Sequence, residues 1–260
     1  MSLLLVERLT RSFGGVRAVQ DLSFAIPEGG IHSIIGPNGA GKTTLFNMIS
    51  GVLRPTRGTI RFRGENIAGL PPERLAARGI SRTFQNLQIF FNMSVLENVL
   101  LGGHLGLDRN VWRALFRLPR LRAAERRARA EAEALLERVG LAEWSDAPAD
   151  SLPYGALKRL EIARALAARP ELLLLDEPAA GCNEKETREI ETLLKSLVAD
   201  GMTIVLVEHD MRLVMNVSDH IIVLDHGRML AEGRAEEVRE NPAVIEAYLG
   251  QAAVAGGHAP

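Results

Sequence analysis

The stretch Gly36-Pro37-Asn38-Gly39-Ala40-Gly41-Lys42-Thr43-Thr44 limits what this chain can be more than any other part of it. It fits G-x-x-x-x-G-K-[ST], follows a β-branched apolar run ending at Ile34-Ile35, and precedes an apolar-periodic segment over residues 45–49. A strand, a glycine-rich turn and a helix in that order make a phosphate-binding loop. Glycines at 36, 39 and 41 let the backbone turn tightly with its N–H groups inward, while the helix opening after Lys42 presents its positive dipole end. A triphosphate fits there. Lys42 reaches the β- and γ-phosphates as a point charge, and the Thr43 hydroxyl supplies one ligand to a Mg2+ that otherwise keeps waters.

Composition narrows the class. With 260 residues and 47% hydrophobic content the chain can bury a real core, as one large domain or two small ones. A formal net charge of −1 gives no global attraction to nucleic acid or to an anionic membrane surface, so no nucleic-acid partner is expected. The single cysteine, Cys182, excludes an internal disulfide framework and suits a reducing compartment, where it acts as a small hydrophobe. Apolar runs such as residues 3–6 and 172–175 are four residues long, so neither a signal peptide nor a membrane span is expected. A role at a membrane would be carried out from the side.

In chain order, residues 3–35 read as strands, with a turn at Gly14-Gly15 and a tight connection at Pro27-Glu28-Gly29-Gly30. Phe13, beside the two glycines, is either a core side chain or an exposed ring on which an adenine stacks. Another strand is expected over 58–64, a helical segment after Pro71-Pro72, and a strand over 80–85 that ends in Gln85. From residue 86 to about 165 Leu, Ala, Arg and Glu dominate and helix periodicity takes over, which reads as an inserted helical subdomain. Within it Arg109, Arg113 and Arg117 oppose Trp112, Leu115 and Phe116. That is a helix packed on its own subdomain with a solvated arginine face, or one lying at a lipid headgroup layer. Residues 122–138 carry five arginines and four glutamates, a salt-bridged solvent face.

Three further places carry chemistry. The turn Leu152-Pro153-Tyr154-Gly155-Ala156 feeds a helix expected over 157–168, and a glycine turn at a helix N-terminus is a possible second anion site. The apolar run 172–175, as of a strand covered on both faces, closes in Asp176-Glu177 at its carboxyl end, where ligands sit. Asp176 suits a Mg2+ contact through water, and Glu177 can polarise the water that attacks the γ-phosphate. A strand over 203–207 ends in Glu208-His209-Asp210, and His209 can hold the γ-phosphate and that water. A last hairpin turns at Asp225-His226-Gly227, and the small-residue tail from Gln251 reads as loose.

These motifs stand in the order of the ATP-binding cassette ATPases, which the chain resembles over nearly its whole length. The resemblance implies a P-loop NTPase (RecA-like) α/β core with an N-terminal antiparallel β subdomain and an inserted α-helical subdomain. Residues 1–85 hold the β subdomain and the first part of the core, 86–165 the helical subdomain, 166–235 the second part of the core, and 236–260 a C-terminal helix and tail. It implies that Gln85 is the residue sensing Mg2+ and the transmembrane partner, joining Thr43 and Asp176 at the metal. It makes Leu152 to Ala156 the signature turn offered to the partner's ATP, residues 180–183 the D-loop, His209 the switch histidine and Phe13 the adenine-stacking ring. Ser12-Phe13-Gly14-Gly15, Arg82-Thr83-Phe84-Gln85, Leu160-Glu161-Ile162-Ala163-Arg164, Asp176-Glu177-Pro178-Ala179-Ala180-Gly181, Glu208-His209-Asp210-Met211 and the ending from Asn241-Pro242 to Tyr248-Leu249-Gly250 look like the LivG-type subunit of branched-chain amino acid importers. So does the extra length over about 102–122. The usual signature, Leu-Ser-Gly-Gly-Gln, survives only at Leu152 and Gly155; Pro153 offers neither hydroxyl nor N–H, and Ala156 removes a further polar group.

What the resemblance implies for function is an ATPase with Lys42, Glu177 and His209 as catalytic residues and ATP with Mg2+ as cofactors. It would pair head to tail with a second nucleotide-binding subunit, a paralogous LivF-like chain or a second copy of itself. Two transmembrane permease subunits and a periplasmic or extracellular amino-acid-binding protein complete the machine, with this chain peripheral on the cytoplasmic face of the inner membrane. The expected cargo is leucine, isoleucine and valine. Urea, short amides or aromatic acids are the alternative cargoes, and a soluble cassette ATPase without permeases is the alternative of another class.

Overall fold

The computed structural model describes residues 2–103 and 119–255. Strands β1 (Ser2–Phe13) and β2 (Val16–Pro27) pair antiparallel around Gly14-Gly15. Both run longer than their apolar pattern indicates, because register shifts such as the one between Val6 and Leu9 absorb positions that break the alternation. Adding β4 (Arg57–Phe62) and the short β5 (Glu65–Asn66) gives a four-stranded antiparallel sheet in the order β2-β1-β4-β5. Its inner face carries Leu4, Val6, Leu9, Leu22, Ile26 and Ile60, all buried.

A second sheet contains β3 (Gly30–Ile35), β6 (Ile80–Arg82), β7 (Leu172–Asp176), β8 (Thr203–Val207), β9 (His220–Asp225) and β10 (Arg228–Gly233). Its order is β10-β9-β3-β8-β7-β6, parallel except for the β10 edge. The continuous apolar run of β7 is explained by two covered faces. Leu173 and Leu175 join the core shared with the helical subdomain, while Leu172 and Leu174 join the core beneath the antiparallel sheet.

Helix α1 (Lys42–Ile49) follows β3 directly, and α2 (Pro72–Ala76) precedes β6. The helical subdomain is α3 (Val95–Gly102), α4 (Pro119–Arg138) and α5 (Tyr154–Leu166). Ser94 and Glu97 close a reciprocal capping box on α3. The basic helix expected at 109–117 lies outside the described residues. The rest comprises α6 (Glu184–Ala199), α7 (Met211–Val217), α8 (Ala235–Glu240) and α9 (Pro242–Ala255). Among the described residues no helix is long and apolar enough to cross a membrane.

Three local expectations are corrected. β6 stops at Arg82, because the Phe84 N–H donates to the buried Glu161 carboxylate at 3.2 Å; Gln85 therefore sits in a loop beyond the strand. Helix α5 starts at Tyr154, with Pro153 as an extended N-cap residue that the chain enters at φ −58°, and it ends at Leu166. The tail is helical through Ala255 where a loose end was expected from Gln251.

Candidate nucleotide site

Parallel register aligns three strand ends. Ile34 of β3 and Asp176 of β7 both lie opposite Val207 of β8, so Gly36, Glu177 and Glu208 leave the sheet along one edge. At that edge Gly36 and Gly41 have φ of +150° and +99°, and a Cβ on either would stand closer than 3.0 Å to a backbone carbonyl oxygen, of Leu224 and Ala18 respectively. Only glycine lets the loop pass so near its neighbours. The Lys42 ammonium donates to the carbonyls of Gly36 (2.6 Å) and Pro37 (3.0 Å), so the loop curls around it. Burial pushes the Lys42 pKa below the usual lysine value, and the Glu177 charge opposes that shift. Thr43 is exposed, and α1 has no side-chain cap, which leaves its first-turn N–H groups to an anion. Pro37 and Ala40 are buried beneath the loop, Asn38 and Gly39 are exposed at its crest, and Thr44 is half-buried.

Facing the loop are the acids. Glu177 sits in the left-handed region at φ +51°, held there by its N–H on the Val207 carbonyl (2.8 Å) and by the buried Lys158, whose ammonium donates to the Glu177 carbonyl at 3.3 Å. Its carboxylate accepts from Gln85 Nε2 at 3.2 Å and lies 3.6 Å from His209 Nδ1. His209 is two-thirds exposed, on a turn organised by the buried Glu208 carboxylate, which accepts from the backbone N–H groups of Ala179, His209 and Asp210. Asp176 is buried and paired with Arg82 at 2.7 Å. Gln85, Glu177 and His209 thus meet although they are far apart in sequence.

Arg82, Lys158 and Glu208 are structural supports to which the sequence pattern gave no role. A polar residue closing a buried strand was a signal for Glu208; nothing local marked Lys158.

Thr43, Gln85 and Asp176 offer hard oxygen donors, and among the described residues no three His, Cys, Asp or Glu side chains cluster as a metal cage. That donor set fits Mg2+, which takes most of its ligands from phosphates and water.

Phe13 is 45% exposed, with the Arg11 guanidinium 4.5 Å from its ring centre, so the core reading of this residue fails. The turn over residues 152–156 has Leu152, Gly155 and Ala156 buried and Pro153 and Tyr154 exposed. Its Gly155 N–H donates to Glu186 Oε1 at 3.2 Å, while Glu186 Oε2 accepts from Asn183 N as part of the α6 capping box. Tyr154 packs over Gly181 of the 180–183 loop. Cys182 packs against the helical-side core, and burial pushes its thiol pKa up.

A family model described as ABC transporter matches residues 19–180, and one described as Branched-chain amino acid ATP-binding cassette transporter matches residues 228–254. The chain is 47% identical over 248 residues to the high-affinity branched-chain amino acid transport ATP-binding protein BraF of Pseudomonas aeruginosa, covering 95% of this chain and 97% of the relative. It is 46% identical over 251 residues to the LivG protein of the same description from Escherichia coli K12, covering 96% and 98%. The crystal structure of the ADP conformation of an ATP-binding cassette of an ABC transporter superposes with a TM-score of 0.84 at 34% identity, over 96% of this chain and 99% of the other.

Proposed function

This chain belongs to the ABC transporter family, and we propose that it is the ATP-hydrolysing subunit of an importer of branched-chain amino acids. The observation that carries the enzymatic part is the meeting of Gln85, Glu177 and His209 beside the Lys42 loop. The cargo rests on the match over residues 228–254 and on the names of relatives similar along nearly the whole chain.

In this reading the loop from Gly36 to Thr44 cradles the phosphates of ATP and Phe13 stacks on its adenine. Lys42 leaves the Gly36 and Pro37 carbonyls for the β- and γ-phosphates. Thr43, Gln85 and Asp176 would hold Mg2+, directly or through water, and the bound ion would supply neutralising charge to the phosphates. Glu177 orients and polarises the attacking water, and His209 steadies the γ-phosphate.

The Leu152 to Ala156 turn faces the ATP of an opposed nucleotide-binding subunit. Pro153 and the Glu186 carboxylate on the Gly155 N–H make this a poor phosphate donor set, which favours a paralogous partner with a better turn and two unequal ATP sites. The site built on this chain's Lys42 and Glu177 is then the faster one. Two permease subunits and an external amino-acid-binding protein complete the importer, with this chain on the cytoplasmic side of the membrane.

Uptake of labelled leucine, isoleucine and valine in cells carrying the native gene or Glu177→Gln tests the proposal. Loss of all three in the variant supports it. Unchanged uptake of the three with loss of another small solute overturns the cargo, and no change in any transport overturns the importer reading.

A further inference from the structure

Arg82 is a buried cation with three acceptors on two other elements. Its Nη1 donates to Asn47 Oδ1 and Ser50 Oγ, both at 2.6 Å, and its Nη2 donates to Asp176 Oδ2 at 2.7 Å. The rings of Phe46 and Phe84 lie 5.0 and 5.1 Å from the guanidinium carbon, and the side chain is 8% exposed. One side chain thereby joins the end of α1, the last residue of β6 and the last residue of β7. Asp176 Oδ2 is committed to this contact, whereas Oδ1 accepts no hydrogen bond from a described residue.

We propose that Arg82 is a positioning residue for Mg2+: by taking Oδ2 it fixes the rotation of the Asp176 carboxylate and reserves Oδ1 for the metal and its water. Its two α1 acceptors tie that carboxylate to the helix that begins with Lys42 and Thr43, so the acidic and phosphate-binding sides of the site keep one spacing. This rests on the reading of Asp176 as a metal contact given above. The plain alternative is that Arg82 only neutralises a buried carboxylate. Lysine separates the two, because it keeps the charge but as a point charge cannot serve acceptors on two elements as the planar fork does.

The test measures ATP binding to the full chain by fluorescence, in EDTA and across a Mg2+ titration, for the native protein, Arg82→Lys and Lys42→Ala. Arg82→Lys should leave ATP affinity in EDTA within about twofold and raise the Mg2+ concentration needed for half-saturation about tenfold, the range seen when a residue orienting a metal ligand is lost. An unchanged Mg2+ requirement, or an equal loss of affinity with and without Mg2+, overturns the proposal. Should Arg82→Lys not fold, Asn47→Ala removes one α1 anchor and leaves the ion pair. It should shift the Mg2+ requirement in the same direction by less, and no shift overturns the proposal. The underlying site reading fails separately, if native binding is indifferent to Mg2+ or Lys42→Ala binds ATP normally.

Discussion

Gly41 and Gly39 form a matched pair inside one loop, and alanine at each isolates what the fold demands of the first. Both have positive φ, +99° and +80°. At either position alanine costs about 1–2 kcal/mol for the left-handed backbone, offset by about 0.4–1 kcal/mol from the stiffer unfolded chain. The neighbours differ. A Cβ at Gly39 meets nothing within 4 Å, whereas one at Gly41 would stand under 3.0 Å from the Ala18 carbonyl oxygen, 3.4 Å from Val19 Cγ2 and 3.5 Å from Gly227 Cα. The Ala18 carbonyl belongs to β2 backbone and cannot rotate away, so the strand must retreat; forced overpacking of this kind costs about 1–3 kcal/mol. Gly39→Ala should therefore lose at most about 1.5 kcal/mol and Gly41→Ala about 2–4 kcal/mol. At about 2–4 °C per kcal/mol for a chain of this size, the overpacking of about 1–3 kcal/mol should lower the melting temperature of Gly41→Ala about 2–12 °C further than that of Gly39→Ala. Thermal unfolding of the nucleotide-free chain reads this directly. Equal shifts for the two variants would refute the argument that packing against β2, and not φ alone, demands glycine at position 41.

Three further outcomes follow from single contacts. Burial pushes the pKa of His32 below its ordinary 6.5, so the folded state keeps it neutral while the unfolded chain protonates. Its contribution is full above pH 6.5 and is lost progressively as pH falls from there through the lower folded-state pKa, and urea unfolding at pH 7.5 and 5.5 should show a smaller drop for His32→Gln than for the native chain. A Cβ at Gly155 would collide with the Glu186 carboxylate, so Gly155→Ala should be partly rescued by Glu186→Ala, with a coupling of about 0.5–3 kcal/mol in a double-mutant cycle of denaturant unfolding. Lys158→Met removes the donor that holds the Glu177 carbonyl; kcat for ATP hydrolysis should fall on the order of tenfold or more while ATP affinity stays within about twofold.

The phosphate loop was legible because its requirements are local: glycines, a lysine and a threonine within nine residues, between a strand and a helix. The acids at 176 and 177 were legible because a run buried on both faces can end in charge only where it leaves the sheet. What supports them was not. Arg82 owes its role to acceptors on α1 and β7, Lys158 to the approach of α5 toward the end of β7, and both contacts are made by chain packing that no local spacing encodes. The early end of β6 has the same origin, since Glu161 takes the Phe84 N–H. Phe13 needed the structure to separate core from surface, because an aromatic in a strand suits both. Pro153 concealed the true start of α5, where an extended proline serves as the residue before the first turn.

The central claim is that Glu177, set beside Gln85 and His209, activates water at an ATP site built on Lys42. The most direct measurement is ATP hydrolysis by the assembled transporter with Glu177→Gln in this chain alone, alongside ATP binding. The account predicts binding within about twofold of native and hydrolysis reduced about tenfold or more, the loss expected when a general base is removed and only a slower second site remains. Hydrolysis at the native rate with ATP bound would contradict it.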